Sequence, residues 1–562
     1  MTAYRKSVAV LSALALLAAC GKNGTQAPQA PARESAVEAT SPEITGDDLR
    51  KHVKILASDE FGGRAPTTPG GKKARAYIAS EFERIGLQPV NGGYEQEVPM
   101  VETTVDPEKS YLKIDENGNT QDLAYKDDVV YWTKRAEKTV SFDDSDMVFV
   151  GYGIVAPEYG WNDYEGVDVK GKTVVILVND PGFATKDTGL FNGNAMTYYG
   201  RWTYKYEEAA RQGAAAAIIV HETEPAAYGW NVVEGSWTGP QIDLERADNG
   251  ASRVAMEGWV THDAASALMQ AAGLDLGQME DAAAKKGFKA VPMTGLKASG
   301  KIEQTLKRSK SANVIGVLPG AEAPDEYVLY TAHWDHLGTK PNAEGDDKIF
   351  NGAVDNGTGV AAILEIAEKF AETKPKRSIL IAAVTGEESG LLGSAYMAEN
   401  PPVPLKQIVA GINIDALLPT PPVKDIVVVG YGASELEDVL SDVAARHTRR
   451  IKPDPEPEKG YFYRSDHISF AKKGVPMLYA DNGVDLVDGG VEAGEALAED
   501  YRLHRYHSPA DEYDDSWDMS GITDTVEILY ETGELIADSS AWPDWYEGNE
   551  FRAIRDAQRS GE

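Results

Sequence analysis

Tyr327-Val328-Leu329-Tyr330-Thr331-Ala332-His333-Trp334-Asp335-His336 passes from an apolar run into a cluster of polar side chains. Residues 327–330 read as a buried strand, and His333 opens the polar stretch at its end. The pattern recurs. An apolar strand at 378–384 precedes Glu387-Glu388, and the strand-like Ile412-Asn413-Ile414 leads into Asp415. Asp355 lies in Asn351-Gly352-Ala353-Val354-Asp355-Asn356-Gly357, just before a helix-like run, and His507 lies in Tyr506-His507-Ser508-Pro509-Ala510-Asp511. Four of these residues, His333, Glu387, Glu388 and Asp415, fall at or just after a strand, where open α/β sheets place their ligands. Imidazole nitrogens and carboxylate oxygens are the donors of a hydrolytic zinc centre.

Working outward, strands near 327–330, 378–384, 409–414 and 476–479 alternate with helices near 357–373, 389–398 and 434–447. This alternation reads as an α/β fold with helices on both faces of the sheet. An apolar run at 312–318 begins it. Upstream, residues 47–57 and 71–85 read as helices. In the second, Ala74, Tyr77, Ile78, Phe82 and Ile85 recur at helical spacing, and Gly86 supplies the C-cap. Between them, residues 58–66 form a Gly/Pro-marked turn. From about 105 to 298 the texture changes to short strands separated by Gly, Asp and Asn, with candidates at 147–152, 172–178 and 214–220 and a helix at 204–212. This reads as an inserted β-rich domain. The sequence holds no repeat, coiled coil or GxGxxG phosphate loop.

A chain of 562 residues is too long for one ordinary core, so two or three domains are expected. Its formal charge of −34 argues against nucleic acid and anionic membrane surfaces as partners, because both are bound through a basic face. At the N-terminus, Arg5-Lys6 precede an apolar stretch at 8–17 that is too short to span a bilayer, so residues 1–19 read as a secretory signal. Leu17-Ala18-Ala19-Cys20 resembles the bacterial lipobox, which implies lipidation of Cys20. The other reading is a plain signal cut near Ala19 with Cys20 incidental. Residues 20–43, small, polar and Pro-rich, then form a flexible linker. Gly21, in place of the Asp that retains lipoproteins at the inner membrane, favours an outer-membrane anchor facing the periplasm. The sole cysteine excludes internal disulfides.

The order His-x-Asp at 333–335, Val-Asp-Asn-Gly at 354–357, Glu-Glu-Ser-Gly at 387–390, Asn-x-Asp at 413–415 and His-x-x-x-Asp at 507–511 resembles peptidase family M28, the co-catalytic zinc peptidases. Leu-Ala-Ser-Asp-Glu-Phe-Gly-Gly-Arg at 56–64 and Gly-Leu-Gln-Pro at 86–89 fit the same family. Segments 151–154, 163–164, 168–172 and 209–220 resemble a protease-associated (PA) domain. The resemblance implies a zinc-exopeptidase-like mixed sheet whose peptidase domain comprises 44–104 and 299–547. A PA domain would occupy 105–298 and a C-terminal tail 548–562.

It also implies roles. His333 and Asp415 would bind one zinc, Glu388 and His507 a second, and Asp355 would bridge them. Glu387, left without a metal, would act as general base on a zinc-bridging water. Asp335 would orient the His333 imidazole. In Tyr461-Phe462-Tyr463-Arg464-Ser465-Asp466-His467, His467 would be an oxyanion or substrate contact and Tyr463 a weaker one. His336 reads either as a group outside the donors that supports them or as a surface residue. His507 is preferred over His504 because of its Ser-Pro context and Asp511. His52, His221, His262 and His447 lack such contexts. The aromatic cluster at 198–202 reads as packing, or as a face presented over the site mouth.

The implied function is a secreted two-zinc exopeptidase that removes N-terminal residues from peptides. The alternatives are a C-terminal-directed carboxypeptidase, a single-zinc glutaminyl cyclase and a non-catalytic binding lipoprotein. A full ligand set disfavours the last, and the large insertion disfavours the cyclase. A carboxypeptidase needs an arginine clamp for the substrate carboxylate, for which Arg464 is a candidate.

Overall fold

The computed structural model describes residues 40–561 apart from residue 344. The expectations for the signal, for Cys20 and for most of the 20–43 linker lie outside these residues.

Helices α1 (Gly46–Leu56) and α2 (Pro69–Ile85) form where the apolar spacing places them. Thr45 and Thr68 cap them, each hydroxyl accepting a first-turn backbone N–H. Gly86 ends α2 at φ 94°, its N–H donating to Phe82 O at 3.0 Å. Strand β1 (Glu95–Val105) then leads out to the inserted region.

That region is built on β2 (Tyr111–Glu116), β3 (Val129–Trp132), β4 (Thr139–Phe149), β5 (Thr173–Leu177), helix α3 (Trp202–Arg211), β6 (Ala216–His221) and β7 (Met256–Thr261). Strands β4, β5, β6 and β7 pair in parallel, in that order. β5 and β6 are buried throughout and, apart from Thr173 and His221 at their ends, read as apolar runs, as parallel strands covered on both faces do.

The return strand, β8 (Val291–Leu318), is 28 residues long. It pairs with β2 and β4 at its start, with β1 over Gln304–Val314, and with the central sheet at its end. The expected boundary at 298 therefore falls inside a strand. Pairing passes from one sheet to the next along a single backbone, so no linker marks the junction.

The central sheet contains β9 (Ala323–His333), β10 (Arg377–Val384), β11 (Ile408–Asn413) and β12 (Met477–Asn482), interleaved with α4 (Gly359–Thr373), α5 (Leu392–Glu399) and α6 (Leu436–Arg446). β9 lies between β10 and β11, parallel to both, and β11 pairs in parallel with β12. All eight residues of β10 are buried. Ile379, Ile381 and Ala383 pack with the apolar residues of α4, whereas Leu380, Ala382 and Val384 pack with Met397 of α5 and Phe470. The mixed α/β architecture with helices on both faces is thus present.

Three further helices follow: α7 (Gly490–His504), α8 (Ser520–Asp538) and α9 (Arg552–Ser560). The residues expected as a C-terminal tail include α9, which is docked rather than loose. Its Arg555 is fully buried and donates to Ile408 O at 2.9 Å.

Candidate metal centre

Adjacent parallel strands deliver the polar cluster from their C-terminal ends. His333 is the last residue of β9, Glu387 and Glu388 follow β10, and Asp415 lies just past β11. Asp355 sits in the loop before α4. That loop requires glycine at 352, where φ is 59° and a Cβ would stand 2.2 Å from Asp355 O and 2.6 Å from His336 Cδ2.

His333 Nε2 lies 3.0 Å from Asp415 Oδ1, 3.2 Å from Asp355 Oδ1 and 4.0 Å from Glu387 Oε2. His507 Nε2 lies 3.2 Å from Asp355 Oδ2 and 3.1 Å from Glu388 Oε2. The two oxygens of Asp355 therefore face different histidines, as a bridging carboxylate requires. His333, Asp355, Glu387, Glu388, Asp415 and His507 all converge.

Donor atoms of His333, Asp355 and Asp415 lie within 4.8 Å of one another, and so do those of His336, Asp355 and Glu388. Glu388 Oε1 and both His336 nitrogens are buried without a hydrogen-bond partner. Yet His336 Nδ1 and Glu388 Oε1 are 2.6 Å apart, a contact without hydrogen-bond geometry. Unsatisfied buried polar atoms are costly, and a cation between them would satisfy both.

The electrostatics agree. Burial alone would depress His333, but the Asp415 and Glu387 carboxylates outweigh it and hold its proton well above the ordinary range. Burial is likewise overcome at His507, where Asp355 and Glu388 raise the imidazole to about 10. A crowd of carboxylates is demanding positive charge, and metal binding supplies it by displacing those protons. The donor set fits two zinc ions.

Residues 313–532 match the sequence model of peptidase family M28. The chain carries an M28 peptidase domain. Relatives include a "probable zinc metalloprotease" of Pyrenophora teres f. teres, 37% identical over 121 residues, 21% of this chain and 25% of that protein. Aminopeptidase NAALADL1 of Mus musculus is 31% identical over 174 residues, 27% of this chain and 22% of that one. The "probable glutamate carboxypeptidase LAMP1" of Arabidopsis thaliana is 32% identical over 165 residues, 28% and 21% of the two chains. The matches span a quarter or less of these relatives' length. Among solved structures, an aminopeptidase from Aneurinibacillus sp. strain AM-1 superposes with a TM-score of 0.48 at 18% identity, over 89% of this chain and 96% of that chain.

The M28 domain holds its donors through a dense set of supports. Asp511 accepts the N–H groups of Val354 and Asp355, both at 3.0 Å, one on each carboxylate oxygen. Asn356 accepts from Gly359 N and Ala416 N and donates to Ile414 O, tying the Asp355 loop to the Asp415 loop. The Ser465 hydroxyl donates to Asp415 Oδ2 at 2.6 Å. Arg64, 1% exposed, donates to the carbonyls of Leu56, Trp334, Asn351 and Gly352, so one guanidinium fastens the loops that carry His333 and Asp355.

Several expectations are corrected. Asp335 does not face His333 through its carboxylate. Its backbone O lies 3.1 Å from His333 Nδ1, while its Oδ1 accepts Glu387 N at 3.2 Å. Burial pushes the Asp335 carboxyl up to about 7. His336 is not on the surface: at 1% exposure it joins the donor group on Glu388. His467 is fully buried against the Phe462 and Tyr479 rings, burial depresses it to about 3, and neither ring nitrogen has a hydrogen-bond partner. The Tyr463 hydroxyl is taken up by Glu550 at 2.8 Å. His504 is exposed and turned toward Asp500, which leaves His507 as the ligand. Tyr506, not anticipated, stacks on His507 with ring centroids 3.9 Å apart.

Proposed function

We propose that this protein is a two-zinc exopeptidase that removes N-terminal residues from peptides. The observation that carries the reading is the placement of Glu387. Its carboxylate lies 4.0 Å from His333 Nε2 but belongs to neither donor group. Zinc bound in the two groups would supply Lewis acidity toward water and toward the scissile carbonyl. Glu387 would take a proton from the attacking water and return it to the departing amine. Its backbone N–H is held by Asp335 Oδ1, which fixes the start of the side chain. Burial, with the neighbouring Asp415 and Glu388 charges, pushes the Glu387 carboxyl well above its ordinary range despite His333, and two bound cations would draw it back toward the charged form that accepts a proton.

Glu387 and Asp355 would also receive the substrate's α-ammonium, the terminus an acidic cluster favours. A panel of free, N-acetylated and C-amidated peptides, read by mass spectrometry, tests the direction of attack. Loss of residues from the free N-terminus is expected. Trimming of N-acetylated peptides from the other end would put the carboxypeptidase reading in its place.

We further infer export and lipid anchoring at Cys20, on the strength of Leu17-Ala18-Ala19-Cys20. Each buried methylene contributes about 0.8 kcal/mol, so several acyl chains hold firmly. Cys20→Ser should move the protein from the membrane to the soluble fraction, and its persistence on membranes would rule the anchor out.

A further inference from the structure

The inserted region carries a further group of metal donors, built from Glu222, His262 and Glu280. Sheet register creates it. β6 and β7 pair in parallel, with His221 opposite Thr261 at their C-terminal ends. The next residue on one side is Glu222 and on the other His262, so both are delivered to the same rim of the sheet. Thr261 fixes the turn there. Its hydroxyl accepts Ala264 N at 3.3 Å and caps the helix His262–Ala271, which places His262 in the first turn. A following helix, Leu276–Ala283, is capped by Asp275 and shares an apolar cluster with the first through Leu268, Met269, Leu276 and Ala283. It brings in Glu280 as the third donor.

His262 Nε2 lies 3.9 Å from Glu222 Oε1 and 3.7 Å from Glu280 Oε1. Neither separation is a hydrogen bond, which needs about 2.7–3.2 Å. Both approach the spacing of donors that share an ion, since ligands of a tetrahedral zinc stand roughly 3.3–3.6 Å from one another. Glu280 Oε1, the atom that faces His262, is buried without a hydrogen-bond partner. Among the described residues no lysine or arginine forms an ion pair with either glutamate. Burial and the charges of Glu222, Asp281 and Asp275 push the Glu280 carboxyl upward, against the His262 imidazole. The group lacks positive charge, and a buried acceptor left empty is costly.

We propose that Glu222, His262 and Glu280 bind a divalent ion of the zinc class, separate from the catalytic centre. One imidazole with two carboxylates suits zinc and its borderline neighbours, whereas calcium and magnesium favour sites made wholly of oxygen. The His262 side chain is 47% exposed, so the ion has a path of entry and water completes its coordination. Bound there, it would clasp the ends of β6 and β7 to the helix that carries Glu280. The ion therefore fastens the inserted region and takes no part in hydrolysis.

The test is a difference. Full-length protein is saturated with zinc and desalted, its zinc is counted, and the ions are then drawn off with a competing chelator. Wild-type protein should hold one equivalent more than either His262→Asn or Glu280→Gln. If the ion is still counted in a variant, it should be bound more than about 100-fold more weakly, beyond the cost of losing a group that only supports a ligand. Peptide hydrolysis should be unchanged in both variants. Cobalt gives a second readout: the same equivalent should add the visible absorption of a four- or five-coordinate ion, absent from both variants. Ions in the catalytic centre cancel from the comparison, so the result does not depend on the exopeptidase reading. Equal zinc content and equal affinity in the wild type and both variants overturn the site, whether an extra ion sits on other carboxylates or is absent throughout.

Discussion

His336 Nδ1 stands 2.6 Å from Glu388 Oε1, and His507 Nε2 stands 3.1 Å from the other oxygen of the same carboxylate. Glu388 is thus held between two imidazoles. The contact with His336 has neither hydrogen-bond geometry nor access to water, so a shared cation accounts for it better than a proton does. His336→Asn should therefore weaken one of two zinc ions by about 10- to 100-fold. Zinc titration against a competing chelator checks this. Two tight equivalents in a folded His336→Asn protein would return His336 to a packing role.

The adjacent glutamates should separate cleanly. Glu387→Gln should keep both zinc ions yet lose several orders of magnitude in kcat, because an amide cannot accept the water's proton. Glu388→Gln should lose metal as well as rate, since its carboxylate belongs to a donor group. Metal analysis beside single-turnover rates decides the matter. Equal metal content in the two variants, with only Glu388→Gln inactive, would exchange the roles.

Arg64 forms no ion pair among the described residues, although the charges of Asp511, Asp355, Asp335 and Glu388 act on it. It is paired instead with four backbone carbonyls. Arg64→Met should cost at least about 3 kcal/mol, because charged hydrogen bonds contribute about 1.5–3 kcal/mol each and four carbonyls lose their donor. The cost should come with weaker zinc binding, as the released carbonyls flank His333 and Asp355. Urea unfolding with and without zinc measures both. A loss under about 1 kcal/mol would show that the loops hold themselves.

The candidate donors His333, Asp355, Glu388 and Asp415 are legible in sequence because each sits beside a strand end or a turn glycine, and both features leave local marks. His333 ends an apolar run, Asp355 follows Gly352, and Glu388 follows the fully buried β10. The supports were not legible. Arg64 meets Trp334 and Asn351 across some 270 residues, and nothing near Arg64 announces those partners. His336 stays open in the sequence because its partner, Glu388, lies in the turn after the neighbouring strand. The unbroken β8 hid the 298 junction, since a strand that changes partners midway carries no turn signal.

Direction of attack gives the last prediction. The cluster gathers Asp355, Glu387, Glu388 and Asp415 within a few ångströms, and two bound zinc ions would balance those four charges in sum while leaving Glu387, outside both donor groups, as a local negative charge. An α-ammonium can approach the charge on Glu387, whereas an acetylated nitrogen brings no charge and adds bulk at the same point. N-acetylation of a five-residue peptide should therefore lower kcat/KM by about 100-fold or more, equivalent to losing about 3 kcal/mol of charge-assisted binding in the transition state. C-terminal amidation of the same peptide should change it less than threefold, because in a chain of that length the far carboxylate lies several residues from the scissile bond. Progress curves on the three peptides, with products identified by mass, make the comparison. Equal rates for free and acetylated peptides, with loss on amidation, would show that attack begins at the C-terminus.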